Sequence, residues 1–158
     1  MQLRTSRFGD IEVPDGSIVT FTQPIIGFQE YRRFVLLPGP ADSAVTWLQS
    51  TESGELAFLL MNPKDVVPDY RVQLGQHELS ELAVSAVSEL EIYTILVVSE
   101  DVSKVRTNLK APILVNPRQR LGKQTVLEKS DYPIQFFLAK AREAAAMPGE
   151  VSHARADA

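Results

Sequence analysis

Cysteine is absent from this chain. Disulfides, thiolate metal ligands and cysteine nucleophiles are therefore excluded, and a reducing cytoplasm fits the absence. Histidine is scarce: His77 and His153 are the two present, and neither has a partner at a metal-ligand spacing. No apolar run approaches the roughly 20 residues that cross a bilayer, and the MQLRTSRFGDIEV start lacks the apolar stretch of a signal peptide. The chain reads as cytoplasmic and soluble, with no membrane contact. The glycine patterns of a P-loop or a dinucleotide fingerprint are missing. Ser50 to Gly54 carries hydroxyls without the context of a nucleophile elbow, and a β-turn accounts for it. No catalytic residue, metal or cofactor is expected, and an enzyme would need a site assembled only by the fold.

What is present describes one β-rich body. At 158 residues the chain suits a single domain with a full core, and 44% hydrophobic with 23% charged residues is ordinary for a globular protein. Asp10 to Val13 and Tyr70 to Leu74 alternate apolar with polar, the period of half-buried strands. Phe34–Leu37, Leu56–Met61, Ile92–Val98 and Ile113–Val115 are continuously apolar and bounded by Pro, Gly or Asn, so they read as strands buried on both faces. Turn residues separate them at Pro14-Asp15-Gly16, Pro38-Gly39-Pro40, Ser53-Gly54, Asn62-Pro63 and Asn116-Pro117. About nine or ten short strands at this spacing predict a compact mostly-β barrel, because a closed sheet has no exposed edge.

Two stretches follow helical spacing instead. Leu79, Leu82, Ala83 and Ala86 predict a short helix over 76–86 packed on the sheet. Pro133, then Ile134, Phe137, Leu138, Ala141 and Ala145 on one face, predict a C-terminal helix ending at Pro148-Gly149. The expected organisation is a barrel over 1–135, a helical extension over 136–148 and a disordered tail over 149–158.

Charge is distributed in blocks. Residues 65–101 carry eight acidic side chains against Arg71, whereas residues 102–129 carry seven basic ones against Glu128. Such blocks either form separate partner faces or neutralise one another, and neutralisation is the simpler reading. The concentrated basic segment, Arg118 to Gln124, could hold nucleic-acid phosphates. No aromatic lies between Tyr93 and Tyr132 to stack bases, however, so a charged hairpin turning at Gly122 explains it adequately. In the loop between Phe21 and Phe34, Ile25-Ile26-Gly27-Phe28 is an apolar tip with polar flanks. It either plugs one end of the barrel or docks a protein.

Taken in order, these segments resemble the flagellar assembly factor FliW family. The resemblance rests on Gly27-Phe28, on Phe34 to Pro38, and on Leu48-Gln49-Ser50 with Leu56, Ala57, Phe58, Asn62 and Pro63. It continues through Asn108, Leu109, Ala111, Pro112, Ile113 and Asn116 to Arg120, Gly122 and Gln124, and covers about residues 1–135. The family's usual Gly-Ile-Pro before Gly27 is Pro24-Ile25-Ile26 here, and Gln29 replaces an acidic residue. The resemblance implies a barrel that acts by binding. Its implied partners are CsrA, an RNA-binding translational repressor, and flagellin, whose secretion frees the factor to antagonise CsrA; direct nucleic-acid binding is not expected. Candidate contact residues are Ile26, Gly27 and Phe28 as the apolar anchor, with Glu78, Glu81 and Glu89 facing a basic partner. Asn62 and Pro63 are expected to be positional, and Arg120 belongs to the matched hairpin. A small RNA-binding module using 118–124 and a small-ligand-binding barrel are the alternatives.

Overall fold

The computed structural model describes residues 1–41 and 43–139. Among the described residues eleven strands form: β1 (Gln2–Thr5), β2 (Gly9–Glu12), β3 (Ile18–Phe21), β4 (Arg33–Pro38), β5 (Val45–Ser50), β6 (Ala57–Met61), β7 (Glu91–Val97), β8 (Arg106–Thr107), β9 (Ile113–Asn116), β10 (Leu121–Gln124) and β11 (Phe136–Phe137). The antiparallel run β3-β4-β5-β6-β7 continues through β9 to β10, and β10 pairs in parallel with β3, closing a barrel of seven strands. The β1–β2 hairpin lies outside it, and β8 with β11 extends one end of β7. The expected mostly-β barrel is thus the observed fold.

Closure explains the apolar runs. Successive strand residues face opposite sides. Phe34 therefore enters the barrel core with Phe21, Leu48, Leu60 and Ile113, whereas its neighbour Val35 packs outward beneath Leu3 and Val13 of the hairpin. The Phe21 and Phe34 rings lie 5.2 Å apart, and the Phe58 ring is 6.1 Å from that of Phe34. In the Leu48-Gln49-Ser50 motif, Leu48 fills the core and the two polar residues hold the following turn. Gln49 Nε2 donates to the Leu56 carbonyl at 3.2 Å, and Ser50 Oγ accepts the N–H groups of Glu52 and Ser53.

A second apolar cluster fills the space between the barrel and the segment 67–90. Tyr70 and Val72 are buried there, with Arg71 and Gln73 outside. The Tyr70 hydroxyl donates to the Leu109 carbonyl at 2.6 Å, and burial, with the neighbouring Tyr132, pushes its pKa well up. The alternation over 70–74 is therefore real, but among the described residues no strand pairs with this segment. The helix predicted over 76–86 is shorter, α1 (Gln76–Glu81). Leu79 and Leu82 are buried as expected, whereas Ala83 and Ala86 are exposed. Ala83 stops the helix by entering the left-handed region at φ 60°, and Asn116 Nδ2 bonds the Leu82 carbonyl at 2.8 Å.

Two further expectations change. The turn of the basic hairpin falls at Pro117–Arg120, with Arg120 at φ 57° and Asn116 Oδ1 accepting from Arg118 and Gln119. Gly122 lies inside β10, opposite Val115 and Phe21. The helix expected from Pro133 is replaced at Phe136–Phe137 by β11, because Thr107 and Arg106 offer a sheet edge there. Leu138 and Ala139, which follow, are helical as expected, and the remainder of that helix and the expected tail lie outside the described residues from 140 onward.

Gly122 is required by close approach: a Cβ there would stand 2.9 Å from Phe21 Cε1, inside the buried core. Gly122→Ala should lower stability by about 1–3 kcal/mol, the usual cost of overpacking. A urea titration checks this, and an unchanged midpoint would contradict the packing described.

Candidate partner-binding cleft

After Phe21, β3 leaves β10. The two strands share only Thr20–Leu121 and Phe21–Gly122, followed by a bond from the Thr22 N–H to the Gly122 carbonyl at 2.8 Å. The departing chain forms the 23–29 loop, and a cleft of about 490 Å³ opens between that loop, α1 and the residues following β10. Pro24, Ile25, Ile26 and Val126 form its apolar wall, and Gln23, Glu78, Lys123, Gln124 and Glu128 its polar one.

The loop tip is a tight turn. Phe28 N–H bonds the Ile25 carbonyl at 2.8 Å, and Gly27 sits at φ 90°, the backbone a type II turn requires at its third position. This geometry sorts the apolar residues. Ile25 is fully buried, and the Phe28 ring is half-buried edge-on to Phe58 at 5.0 Å. Ile26, between them, is 64% exposed. The two sequence readings of this tip therefore hold for different residues: Ile25 and Phe28 plug the barrel, and Ile26 faces outward. Phe28→Ala would therefore remove packing against the barrel core.

Beneath the tip lies a charged cluster. The Lys123 ammonium, whose side chain is only 10% exposed, lies 2.9 Å from Glu81 Oε1 and 3.4 Å from Glu78 Oε2. Thr125 Oγ1 donates to the same Glu78 oxygen at 2.6 Å, and Gln23 Nε2 to Glu81 Oε2 at 3.0 Å. Gln124 spans the other side: its Oε1 accepts the Ile26 N–H at 2.9 Å and its Nε2 donates to the Ala111 carbonyl at 3.1 Å. Desolvation alone would raise the Glu81 pKa, but hydrogen bonds from Lys123, Gln23 and Thr22 outweigh it and hold the carboxyl below its ordinary value.

The expected contact residues thus divide. Ile26, Glu78 and, just behind, Glu81 come together at the cleft. Gly27 shapes the tip. Glu89 is elsewhere, its Oε2 accepting the N–H groups of Ser85 and Ala86. Asn62 caps a 3-10 turn by accepting from Lys64, and Pro63 is buried in that turn. Arg120 lies in the β9–β10 turn; none of these last four lines the cleft. The acidic and basic blocks meet at Lys123, so they neutralise one another here. Lys123, Gln124, Val126 and Gln23 were not singled out as contacts from sequence. Gln124 had a signal, as the last residue of the matched hairpin pattern. Among the described residues, no group of three or more His, Cys, Asp or Glu side chains could hold a metal ion, and no helix is long and apolar enough to cross a membrane.

Fold and cleft together define a small closed barrel that presents an acidic, apolar-tipped recess. The family model described as FliW protein matches residues 2–138. The flagellar assembly factor FliW of Geobacter sulfurreducens is 38% identical over 152 residues, 95% of this chain and 94% of that protein. The flagellar assembly factor FliW of Caldicellulosiruptor saccharolyticus is 33% identical over 136 residues, 86% of this chain and 89% of its own length. A crystal structure of the flagellar assembly factor FliW superposes with a TM-score of 0.80 at 34% identity, covering 87% of this chain and 96% of that one. The chain belongs to the FliW family.

The lowered Glu81 pKa has a consequence for stability. The stabilisation it reflects is present above the ordinary glutamate range and is lost as pH falls through the lowered value. The urea midpoint should therefore decline on acidification, and Glu81→Gln should flatten that decline. Equal acid slopes in the two proteins would exclude a stabilising Glu81–Lys123 pair.

Proposed function

We propose that this chain is a flagellar assembly factor that works by binding. In this reading it holds the translational repressor CsrA away from messenger RNA, and it binds flagellin, so that flagellin synthesis follows assembly. The observation that carries the reading is membership of the FliW family across nearly the whole described chain. The cleft supplies a physical means. Ile26 is an exposed apolar side chain on a turn fixed by Gly27 and by the Gln124 bond, the kind of pre-set anchor that gives a protein interface its affinity. Glu78, Glu81 and Glu128 outnumber Lys123 around it, and an acidic recess favours a basic surface such as an RNA-binding protein presents. The basic hairpin offers less to nucleic acid than its composition suggests, because Lys123 is drawn into the ion cluster and Gly122 into the barrel.

Titration calorimetry with purified CsrA and with purified flagellin tests the reading. Both should bind at micromolar concentrations or tighter. Ile26→Asp should weaken binding roughly tenfold, as loss of an interface anchor does, with an unchanged melting temperature. Absence of binding to either protein would overturn the proposal, and equal affinity of the variant would remove Ile26 from the interface.

A further inference from the structure

The cleft has a recognition element that its side chains do not reveal. Beyond Gln124 the chain keeps its pairing on the β9 side: Thr125 N–H bonds the Pro112 carbonyl at 3.1 Å and Leu127 N–H the Lys110 carbonyl at 2.8 Å. Backbone groups alternate in direction along an extended chain, so Val126, between these two, directs its N–H to the opposite side. That is the side β3 abandons after Thr22 and the side on which the cleft opens. Among the described residues the Val126 N–H meets no acceptor. The Glu128 N–H turns back onto the Val126 carbonyl at 3.0 Å, so the open sheet edge beyond β10 is short and ends at Val126, inside the recess. Nearby strands elsewhere in the barrel are paired on both sides.

We infer that this cleft accepts an extended, basic polypeptide segment of a partner, added as a strand along residues 124–126 beside Glu128. Three features select that occupant. Strand addition satisfies the open edge, and main-chain bonds of this kind give affinity to any extended segment. Alternate side chains of an added strand point to one face, and Ile26 with Val126, 64% and 43% exposed, offers that face an apolar contact. The charge then chooses among segments. Glu78 and Glu128 line the cleft with Glu81 behind, and the single cation, Lys123, is already held by Glu78 and Glu81. A segment with Lys or Arg beside an apolar residue complements this, whereas an acidic segment meets like charge. The inference rests on the reading above only in taking the cleft as a partner site; it adds the form and charge of what enters.

The test uses the full chain labelled with ¹⁵N and three capped seven-residue peptides. The first alternates Lys and Val, the second alternates Glu and Val, and the third is the Lys peptide N-methylated at every second residue to remove strand donors. The Lys peptide should shift the amide signals of Gln124, Val126 and Glu128. The other two should bind roughly tenfold more weakly, because one is repelled and the other cannot pair. Glu128→Lys, at an exposed position, should weaken the Lys peptide severalfold without altering the fold. Equal binding of the methylated peptide would overturn strand addition. Equal binding of the Glu peptide would overturn the charge selection, and shifts confined to other surfaces would overturn the site. If CsrA or flagellin binds while the cleft amides stay still with every peptide, this inference fails and the function stands. If the Lys peptide binds as described while neither protein does, the function fails and the peptide site stands.

Discussion

The pairing of Lys123 with Glu78 and Glu81 is the interaction on which the cleft depends. Lys123 belongs to β10, a barrel strand, and the two glutamates to α1, so the pair fixes the helix against the barrel wall. An ammonium this buried would be costly if unpaired. Here Glu81 has one oxygen on Lys123 and the other on Gln23, and Glu78 also accepts from Thr125. Through Gln23 the cluster reaches the 23–29 loop itself.

The loop is thus tied at two points, by Gln23 to Glu81 and by the Ile26 N–H to Gln124. On either side of the turn Ile25 is buried in the core and Phe28 packs half-buried against it. An exposed isoleucine held in one orientation loses little conformational freedom on binding, unlike the same residue on a slack loop. In the proposed function stability and recognition therefore share parts: the residues that close the barrel end also set the tip.

The apolar runs revealed the strands; β9 and the start of β4 lie between two apolar layers as expected, whereas β6 and β7 are only half-buried over most of their length and Val97 and Val98 are exposed. Closure was legible only as a class, since β3 and β10 meet across about a hundred residues of sequence, Thr20 against Leu121. Alternation at Tyr70–Leu74 reported burial correctly but not pairing, because hydrogen-bond partners leave no mark on side-chain pattern. Within Ile25-Ile26-Gly27-Phe28, composition could not tell which apolar residue faces out; the positive φ of Gly27 decides it. Charge totals likewise could not show that Lys123 sits between Glu78 and Glu81. The open Val126 N–H is a backbone feature, which no residue pattern could announce.

The central claim is that partners engage the cleft between the 23–29 loop and the chain beyond β10. Amide hydrogen exchange on the full chain, free and saturated with CsrA or with flagellin, tests it most directly. Slowed exchange over residues 23–29 and 124–128 is the result the account predicts. Protection confined to 62–65 or 117–120, with the cleft amides unchanged, would contradict it.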